Sequence, residues 1–254
     1  MPNRIDKLMH RRCLRHWQQA ARQAVRADLL TLRRKRDDAR ALEHELRRFF
    51  NVAEGRLRLP LRGTNAIERP IGTDWAWRPE IWRGPLAPPG IAAVGNGSSY
   101  GNEAKIFHDC PRSEIILRQI RNDDCEDVLA PFGLRLEAFA FEGSFLSLAL
   151  DLPPESLEGL EKDHVFRATI DRMTERDIEI FVRLNITCGP NTEQLVCEIP
   201  PGAGEGVAEF DLAYSRINEK RVEKFWLDVI FENPEFNRIH LRDLTVVRRV
   251  RAAV

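Results

Sequence analysis

The 254-residue sequence contains no run of apolar residues long enough to cross a bilayer, which takes about 18–20 of them. Its N-terminus carries Arg4, Lys7 and Arg11 where a secretory signal has an apolar stretch. No two cysteines form a C-x-x-C pair; the five cysteines are Cys13, Cys110, Cys125, Cys188 and Cys197. An odd number of thiols without such a pair favours a reducing compartment. We therefore expect a cytoplasmic protein with free thiols.

The signatures of catalytic and metal sites are also sparse. Gly97–Gly101 matches G-x-S-x-G with Ser99 as nucleophile, but a Pro/Gly-rich stretch precedes it and a strand pattern follows it, so the strand–turn–helix context of a hydrolase is missing. His108, Cys110 and Cys125 have no diagnostic zinc spacing. Free cysteines are usually small buried hydrophobes. The sequence therefore predicts no catalytic residue, no metal site and no cofactor, and a hydrolase is the less favoured alternative.

Charge is balanced over the whole chain but not along it. The sequence has 39 basic and 39 acidic residues, whereas the segment through Arg58 has 16 Lys/Arg and 7 Asp/Glu. That segment therefore carries a formal charge of +9, and the remainder carries −9. Because opposite charges attract, the basic segment suits an acidic counterpart. The counterpart is either the rest of the chain or another protein.

Residues 1–52 form a predicted basic helical arm. Between Asn3 and Asn51 there is no glycine or proline, and Ala, Leu, Arg, Glu and Gln dominate, a composition typical of helix. The pattern fits one long helix or two helices broken near Thr31. Because the apolar stripe is narrow, we expect the arm to bind a protein partner or to self-associate. The run Arg33–Arg36 also suits nucleic acid or a membrane surface, but those partners are disfavoured because the arm lacks interleaved aromatic residues and a strongly apolar face.

Residues 53–102 form a predicted connecting belt. Six prolines and eight glycines lie between Asn51 and Asn102, which indicates an irregular chain. Three of the five tryptophans, Trp75, Trp77 and Trp82, also lie there. Indole rings are large and apolar, so we expect them to strap the belt onto the following domain. The alternative is an exposed platform for sugar rings, whose C–H faces pack well on indoles.

Residues 103–254 form a predicted antiparallel β-sandwich of the jelly-roll type. In Ile178–Thr187 apolar residues occupy every second position, the pattern of a half-buried strand. Similar runs cover 103–109, 114–121, 134–142, 145–152, 164–173, 193–199, 206–214, 224–232 and 238–250. Turn residues separate these runs, and a short helix is expected at Glu155–Leu160 after two prolines. About ten short strands with few helices indicate a sandwich.

Several segments of this region resemble a known family. They are Phe181–Ile186, Gly189–Leu195, Phe210–Ser215, Asn218–Lys224 and Trp226–Pro234. With these segments the chain, from about Asp74 onward, is similar to an alphaproteobacterial domain-of-unknown-function family, which implies no activity. The closing pattern, Trp226–Phe231 followed by Ile239–Val246, also resembles the last two strands of carbohydrate-binding jelly rolls.

Polar residues beside an aromatic ring supply the candidate binding site. Arg183, Asn185, Trp226 and Asp228 fall at alternate positions opposite the apolar set, so we expect them on the solvent face of the sheet. Such groups bind polyols through a few directed hydrogen bonds, whereas an ordinary solvated face is the simpler interpretation. The candidate residues are Trp75, Trp77, Trp82, Arg183, Asn185, Asn191, Gln194, Trp226 and Asp228. We predict a non-enzymatic binding protein with a glycan as ligand; the alternative is a protein-interaction component of a larger assembly.

Overall fold

The structure, a computed structural model, describes residues 4–58, 66–122 and 128–251. The chain divides into two compact units, Met1–Phe49 and Phe50–Val254. The α-helices are α1 (Arg4–Gln23), α2 (Leu29–Arg58) and α3 (Glu80–Arg83). Within the described ranges, no helix has the length and apolar content needed to span a membrane. Cys125, considered above as a zinc ligand, lies outside the described residues.

The helical arm is made of two helices rather than one. A short 3-10 turn at Ala24–Arg26 follows α1, and Ala27 has an extended backbone. Asp28 then begins α2, because its Oδ1 accepts a hydrogen bond from the backbone N–H of Thr31 at 2.9 Å, as an N-cap residue does. The hydrogen bonds from Thr31 hold the pKa of Asp28 below its ordinary value. The break therefore has a local cause in the sequence, three residues before Thr31.

Two antiparallel sheets form a sandwich, so the predicted mainly β fold with an N-terminal helical arm is confirmed. Sheet A has the order β11-β8-β13-β6-β5-β2, with β1 also paired to β13, and sheet B has the order β10-β9-β12-β7-β4-β3. The strands are β1 (Thr73–Trp77), β2 (Gly90–Ala92), β3 (Ser98–Tyr100), β4 (Ala104–His108), β5 (Ile115–Arg121), β6 (Phe132–Ala138), β7 (Leu146–Asp151), β8 (His164–Thr174), β9 (Ile180–Cys188), β10 (Asn191–Ile199), β11 (Gly204–Asp211), β12 (Val222–Phe231) and β13 (Asn237–Val250). The expected helix at 155–160 is a 3-10 turn at Pro154–Leu157.

Strand β13 connects the belt to the sandwich. One of its edges pairs with β8 from Ile239 to Val250. The other edge pairs first with β6, over Asn237–Leu241, and then with β1, over Val246–Arg249. A bulge between Leu241 and Asp243 separates the two parts. The belt therefore contributes β1 to sheet A, in addition to β2 in the same sheet and β3 in sheet B.

The core lies between the two sheets and follows the alternation in the sequence. In β9, Ile180, Val182, Leu184 and Ile186 are fully buried. Burying such a side chain contributes about 1.5–3 kcal/mol relative to leaving it in water. Because successive side chains of a strand point to opposite faces, the residues between these four lie on the outer face of sheet B. This parity determines which polar residues are available for binding.

Candidate functional site

The belt tryptophans lie against the core. Trp82 is fully buried and its indole Nε1–H donates to the carbonyl of Leu241 at 3.0 Å. Trp77 is nearly buried, and Trp75 is half-buried with its ring stacked on Trp77 at a centroid distance of 6.4 Å. Trp75 also contacts Phe166 at 6.2 Å. Trp77 and Trp82 were candidates for stacking on a sugar ring. The structure does not support that role for them, because their rings are packed in the core and present no face to a ligand.

Four other candidate residues meet on the outer face of sheet B. Strands β9 and β12 are neighbours, and their register places Asn185 opposite Trp226 and Arg183 opposite Asp228. Two polar pairs that are more than 40 residues apart in sequence are therefore brought together by one strand pairing. Trp226 and Arg183 are half-buried, whereas Asn185 and Asp228 are buried.

Asp228 is the centre of a hydrogen-bond network. Its Oδ2 accepts hydrogen bonds from Nε and Nη2 of Arg183 at 3.0 and 2.7 Å and from Nδ2 of Asn185 at 2.9 Å. Gln194, on the neighbouring strand β10, donates from Nε2 to Oδ1 of Asn185 at 3.0 Å. Among the described residues, no hydrogen bond reaches Oδ1 of Asp228. The network fixes one carboxylate oxygen and leaves the other available as an acceptor.

Asn191 is not part of this network. It is exposed at the start of β10, opposite Cys188 and three residues before Gln194. Of the two candidate residues beyond the β9–β10 turn, the structure therefore joins Gln194 to the Asp228 network but not Asn191.

A cavity of about 340 Å³ opens beside the network. It is lined by Phe107, Phe145, Ser147, Arg183, Trp226, Asp228 and Ile230. Its size lies at the lower end of the range of small-ligand pockets, about 300–1,000 Å³. Ser147 is one of the lining residues, and its buried hydroxyl has no hydrogen-bond partner in the described part of the chain. A buried, unpaired hydroxyl in a cavity is a group that a polar ligand can satisfy.

The sequence reasoning missed four lining residues, Phe107, Phe145, Ser147 and Ile230. Strand β7 pairs with β12, so Ala149 lies opposite Asp228 and Ser147 opposite Ile230. Strand β4 pairs with β7 and places Phe107 opposite Ser147. The alternation of residues 145–152 would have placed Phe145 and Ser147 on an outer face, but no sequence signal identifies β12 as the neighbour of β7.

The charges around the cavity are arranged in pairs. Arg183 pairs with Asp228, and Nζ of Lys224 lies 2.6 Å from Oδ1 of Asp151 and 5.8 Å from the centre of the Trp226 ring. The aromatic rings provide apolar contact area, and Asp228, Arg183 and Ser147 provide an acceptor, a donor and a hydroxyl. This combination suits a ligand rich in hydroxyl groups.

A second cavity of about 340 Å³ lies on the outer face of sheet A. Its buried arginine, Arg78, donates from Nε and Nη2 to the two oxygens of Asp243 at 2.8 and 2.7 Å. Arg242 similarly donates to Asp171 at 2.6 Å. The two arginines of this cavity are therefore each paired with a carboxylate.

The residues considered for catalysis or metal binding lie in a regular strand or contact backbone carbonyls. Ser99 lies in the short strand β3, opposite Lys105, rather than in a strand–helix turn. Nε2 of His108 lies 2.8 Å from the carbonyl of Val94, and the Cys110 thiol donates to the carbonyl of Arg112 at 3.0 Å. No group of three His, Cys, Asp or Glu side chains suited to a metal ion occurs in the described ranges.

Comparisons with known proteins give a family and several distant structures. The model of a family described as "Family of unknown function (DUF6478)" matches residues 1–254, which confirms the family resemblance seen in the sequence. No curated protein matches the chain.

Three similar solved structures illustrate the distant likeness. The enzymatically active domain of tailspike protein 4 of bacteriophage CBA120 is 10% identical, with a TM-score of 0.42 over 63% of this chain and only 21% of that one. The C-terminal family 22 carbohydrate-binding module of Clostridium thermocellum Xyn10B is 9% identical, with a TM-score of 0.37 over 74% of this chain and 99% of that one. The CBM22-2 xylan-binding domain of Paenibacillus barcinonensis Xyn10C is 9% identical, with a TM-score of 0.37 over 62% and 98%. At these scores the likeness assigns no ligand.

Proposed function

The chain belongs to the DUF6478 family, which assigns it no activity, and we propose from its own surface that it is a binding protein that recognises a glycan on the outer face of sheet B. The observation that carries the proposal is the cavity in which Trp226 lies beside Asp228 and the unpaired hydroxyl of Ser147. The ligand is a sugar ring that fills this cavity.

The chemistry of a sugar ring matches the cavity on both counts. A ring has apolar C–H faces, for which Trp226, Phe107 and Phe145 supply contact area. It also carries hydroxyl groups, each of which donates and accepts hydrogen bonds. Oδ1 of Asp228 accepts from one hydroxyl and Ser147 pairs with another, while the fixed Arg183 guanidinium donates to a hydroxyl oxygen. A preformed site of this kind loses little conformational entropy on binding.

We propose binding rather than hydrolysis because the carboxylates are committed to partners. Glycoside hydrolysis needs two carboxyl groups on either side of the scissile bond, one of which exchanges a proton. Here Asp228 is held as an acceptor by Arg183 and Asn185, and Asp151 is paired with Lys224. Neither is placed as a proton donor. Ser99 lies on another strand and does not line the cavity.

The test is a glycan array followed by calorimetric titration of the best ligand. We expect the parent protein to bind at least one neutral glycan and Trp226→Ala to bind it at least tenfold more weakly. Tyr214→Ala is the matched control, because it also removes an exposed aromatic ring but from a 3-10 turn outside the cavity. A blank array, or equal binding by parent and Trp226→Ala, would contradict the proposal.

A second candidate function, association through the helical arm, is favoured by a different observation. In α2 the side chains of Leu29, Leu30 and Leu46 are exposed by 73%, 71% and 46%. Exposed leucines on one helix are typical of a surface that pairs with another chain. We propose a protein partner or self-association in the cytoplasm for this arm. Light scattering after size exclusion tests self-association. If the parent protein is an oligomer, Leu46→Glu should lower its measured mass. If the parent protein is a monomer, self-association is contradicted and the partner is a different protein.

A further inference from the structure

Three basic side chains lie side by side on the outer face of sheet A. Arg118 of β5 is directly opposite Arg135 of β6, and Arg135 is directly opposite His240 of β13. Like charges in directly opposite positions of neighbouring strands destabilise a sheet. Arg118 is exposed and Arg135 is half-buried, so a compensating negative charge would matter most for Arg135.

The compensation does not come from the described residues. Neither Arg118 nor Arg135 makes an ion pair or a side-chain hydrogen bond there, and Nε of Arg135 is buried without a partner. A partly desolvated guanidinium without a counter-charge is costly, because burial removes the water that stabilises the cation.

The charged residues near Arg118 and Arg135 either pair with other residues or are too few to balance the two arginines. Arg242, next to the row on β13, donates to Asp171 of β8, and Arg238 lies 3.7 Å from Glu175. Glu137, two residues beyond Arg135 on β6, lies opposite Arg238 and forms no ion pair with either arginine of the row. One carboxylate at this position does not balance two arginines.

The pKa of His240 responds to the positive charges on this face. Burial, together with the charges of Arg135 and Arg242, lowers the pKa of His240 to about 4 against the opposing charge of Asp171. The imidazole is therefore neutral at neutral pH, and the positive charge of the row belongs to the two arginines. A negative ion placed between them would favour the imidazolium and raise the pKa of His240.

We propose that Arg118 and Arg135 form an oxyanion site on the outer face of sheet A, a site for a sulfate, phosphate or carboxylate group, distinct from the proposed glycan cavity on sheet B. Arginine suits this role because its planar guanidinium carries several N–H donors that match two oxygens of an oxyanion at once. The ligand reduces the repulsion between the arginines and accepts hydrogen bonds from their guanidinium groups.

The experiment is a titration of the full chain with inorganic sulfate at constant ionic strength, with chloride as the balancing ion. The imidazole resonances of His240, assigned with His240→Gln, are followed by NMR. We expect a saturable shift and a higher pKa of His240 in saturating sulfate. A response that grows linearly without saturation, or an unchanged pKa, would overturn the proposal.

Variants separate a built site from general attraction to a charged surface. Arg135→Gln and Arg118→Gln should each weaken sulfate binding at least tenfold, because each removes a charged donor. Arg135→Gln should also raise the pKa of His240 in the absence of sulfate, which verifies that the variant is folded with its local field altered. Arg249→Gln, on the same face of β13 but paired with Glu209, should bind sulfate like the parent. Equal weakening by all three would reduce the effect to net charge and contradict the site.

A final experiment identifies the source of the oxyanion. Inorganic phosphate and vesicles of phosphatidylglycerol present the same chemistry, free in solution or on a lipid head group. Saturable binding of phosphate without sedimentation on the vesicles assigns the site to a free or small-molecule oxyanion. Sedimentation that depends on Arg118 and Arg135 assigns it to a head group, with phosphatidylcholine vesicles as the uncharged-surface control.

Discussion

The belt and the outer face of sheet B use tryptophan in opposite ways. Trp82 is fully buried and its one polar atom is bonded to the carbonyl of Leu241. Trp226 is half-buried, lines an open cavity and lies opposite a polar residue, Asn185. The residue type is the same, but the neighbours differ: carbonyl and apolar groups surround the first ring, and hydrogen-bonding side chains flank the second.

The difference separates a sequence signal of burial from a sequence signal of exposure at a surface cavity. Three tryptophans within eight residues of a Gly/Pro-rich segment are anchors, because an irregular chain has few other ways to offset the entropy of being ordered. A single tryptophan at the solvent-facing position of a regular strand, with Asp228 two residues later, is instead available to a ligand. The density of aromatic residues in a segment is thus a poor guide to a binding platform.

The largest expected effect is on stability at the belt. Trp82→Ala removes a fully buried indole and should lower the free energy of unfolding by about 3–5 kcal/mol. Chemical denaturation followed by circular dichroism measures the change. Glycan binding by the folded fraction should stay at the parental level, because Trp82 lies outside the cavity. If Trp82→Ala lowered the free energy of unfolding by less than about 1 kcal/mol, Trp82 would not be an anchor and the contrast with Trp226 would fail.

A smaller effect is expected from the ion pair that holds β1. Asp74 accepts from Nη2 of the buried Arg248 at 2.6 Å, and Nη1 of Arg248 donates to the carbonyl of Ser156. Partial burial raises the pKa of Asp74, but the hydrogen bonds and charge of Arg248 outweigh it and leave the pKa below the ordinary value. Asp74→Asn should cost about 1–2 kcal/mol at neutral pH, less than for a fully buried pair because water reaches the carboxylate.

The ion pair between Asp74 and Arg248 should also depend on pH. Because the folded-state pKa of Asp74 is lowered, its contribution is complete above the unfolded pKa of about 3.8 and is lost as pH falls through the folded value. The difference in unfolding free energy between parent and Asp74→Asn should therefore shrink below about pH 4. Urea denaturation at pH 7, 5 and 3 measures it. A difference that is constant with pH would show that the substitution perturbs packing rather than charge.

Trp226→Ala should have a small effect on stability and a large one on binding. A half-buried ring on the sheet surface should contribute less than about 1 kcal/mol to folding when truncated. Paired denaturation and glycan titration on the same preparation sharpen the comparison with Trp82→Ala. If Trp226→Ala were as destabilising as Trp82→Ala, both rings would be structural and the cavity would lose its main contact surface.

The smallest expected effect is at Ser99. The side chain is exposed on a three-residue strand, so Ser99→Ala should change neither stability nor glycan binding measurably. A serine-directed organophosphonate should leave Ser99 unlabelled in mass spectrometry. Stoichiometric labelling there would show a nucleophile and replace the binding proposal with an enzymatic one.

Much of the fold could be predicted from periodicity. The ten predicted strand runs correspond to β4–β13, including the alternation that became β9 and the closing run that became β13. The short strands β1, β2 and β3 were not predicted, because three to five residues among glycines and prolines show no period. They exist through pairing with partners, as Thr73–Trp77 does with β13. Tertiary contacts, not local preference, form them.

Part of the candidate site could be predicted from the sequence. The rest could not, for a physical reason. Alternation along one strand determines the face of a residue, so Arg183, Asn185, Trp226 and Asp228 were predicted on the outer face, and the pairing of β9 with β12 then brings them together. Which strands are neighbours is decided by packing of the whole sandwich, and that information is not local. Ser147, Ile230 and the two phenylalanines of the cavity were therefore identified only from the structure.

The divided edge of β13 has a consequence for how the chain is made. Strand β1 pairs with residues that follow it by about 170 positions, at Val246–Arg249. On the ribosome, the belt is synthesised long before its partner strand exists, so β1 has no place to dock until Val246–Arg249 emerge. Contacts of such long sequence separation also slow folding, because a large loop must close before they form. Sheet A can therefore be completed only after Val246–Arg249 have been synthesised, whatever else of the chain has already folded.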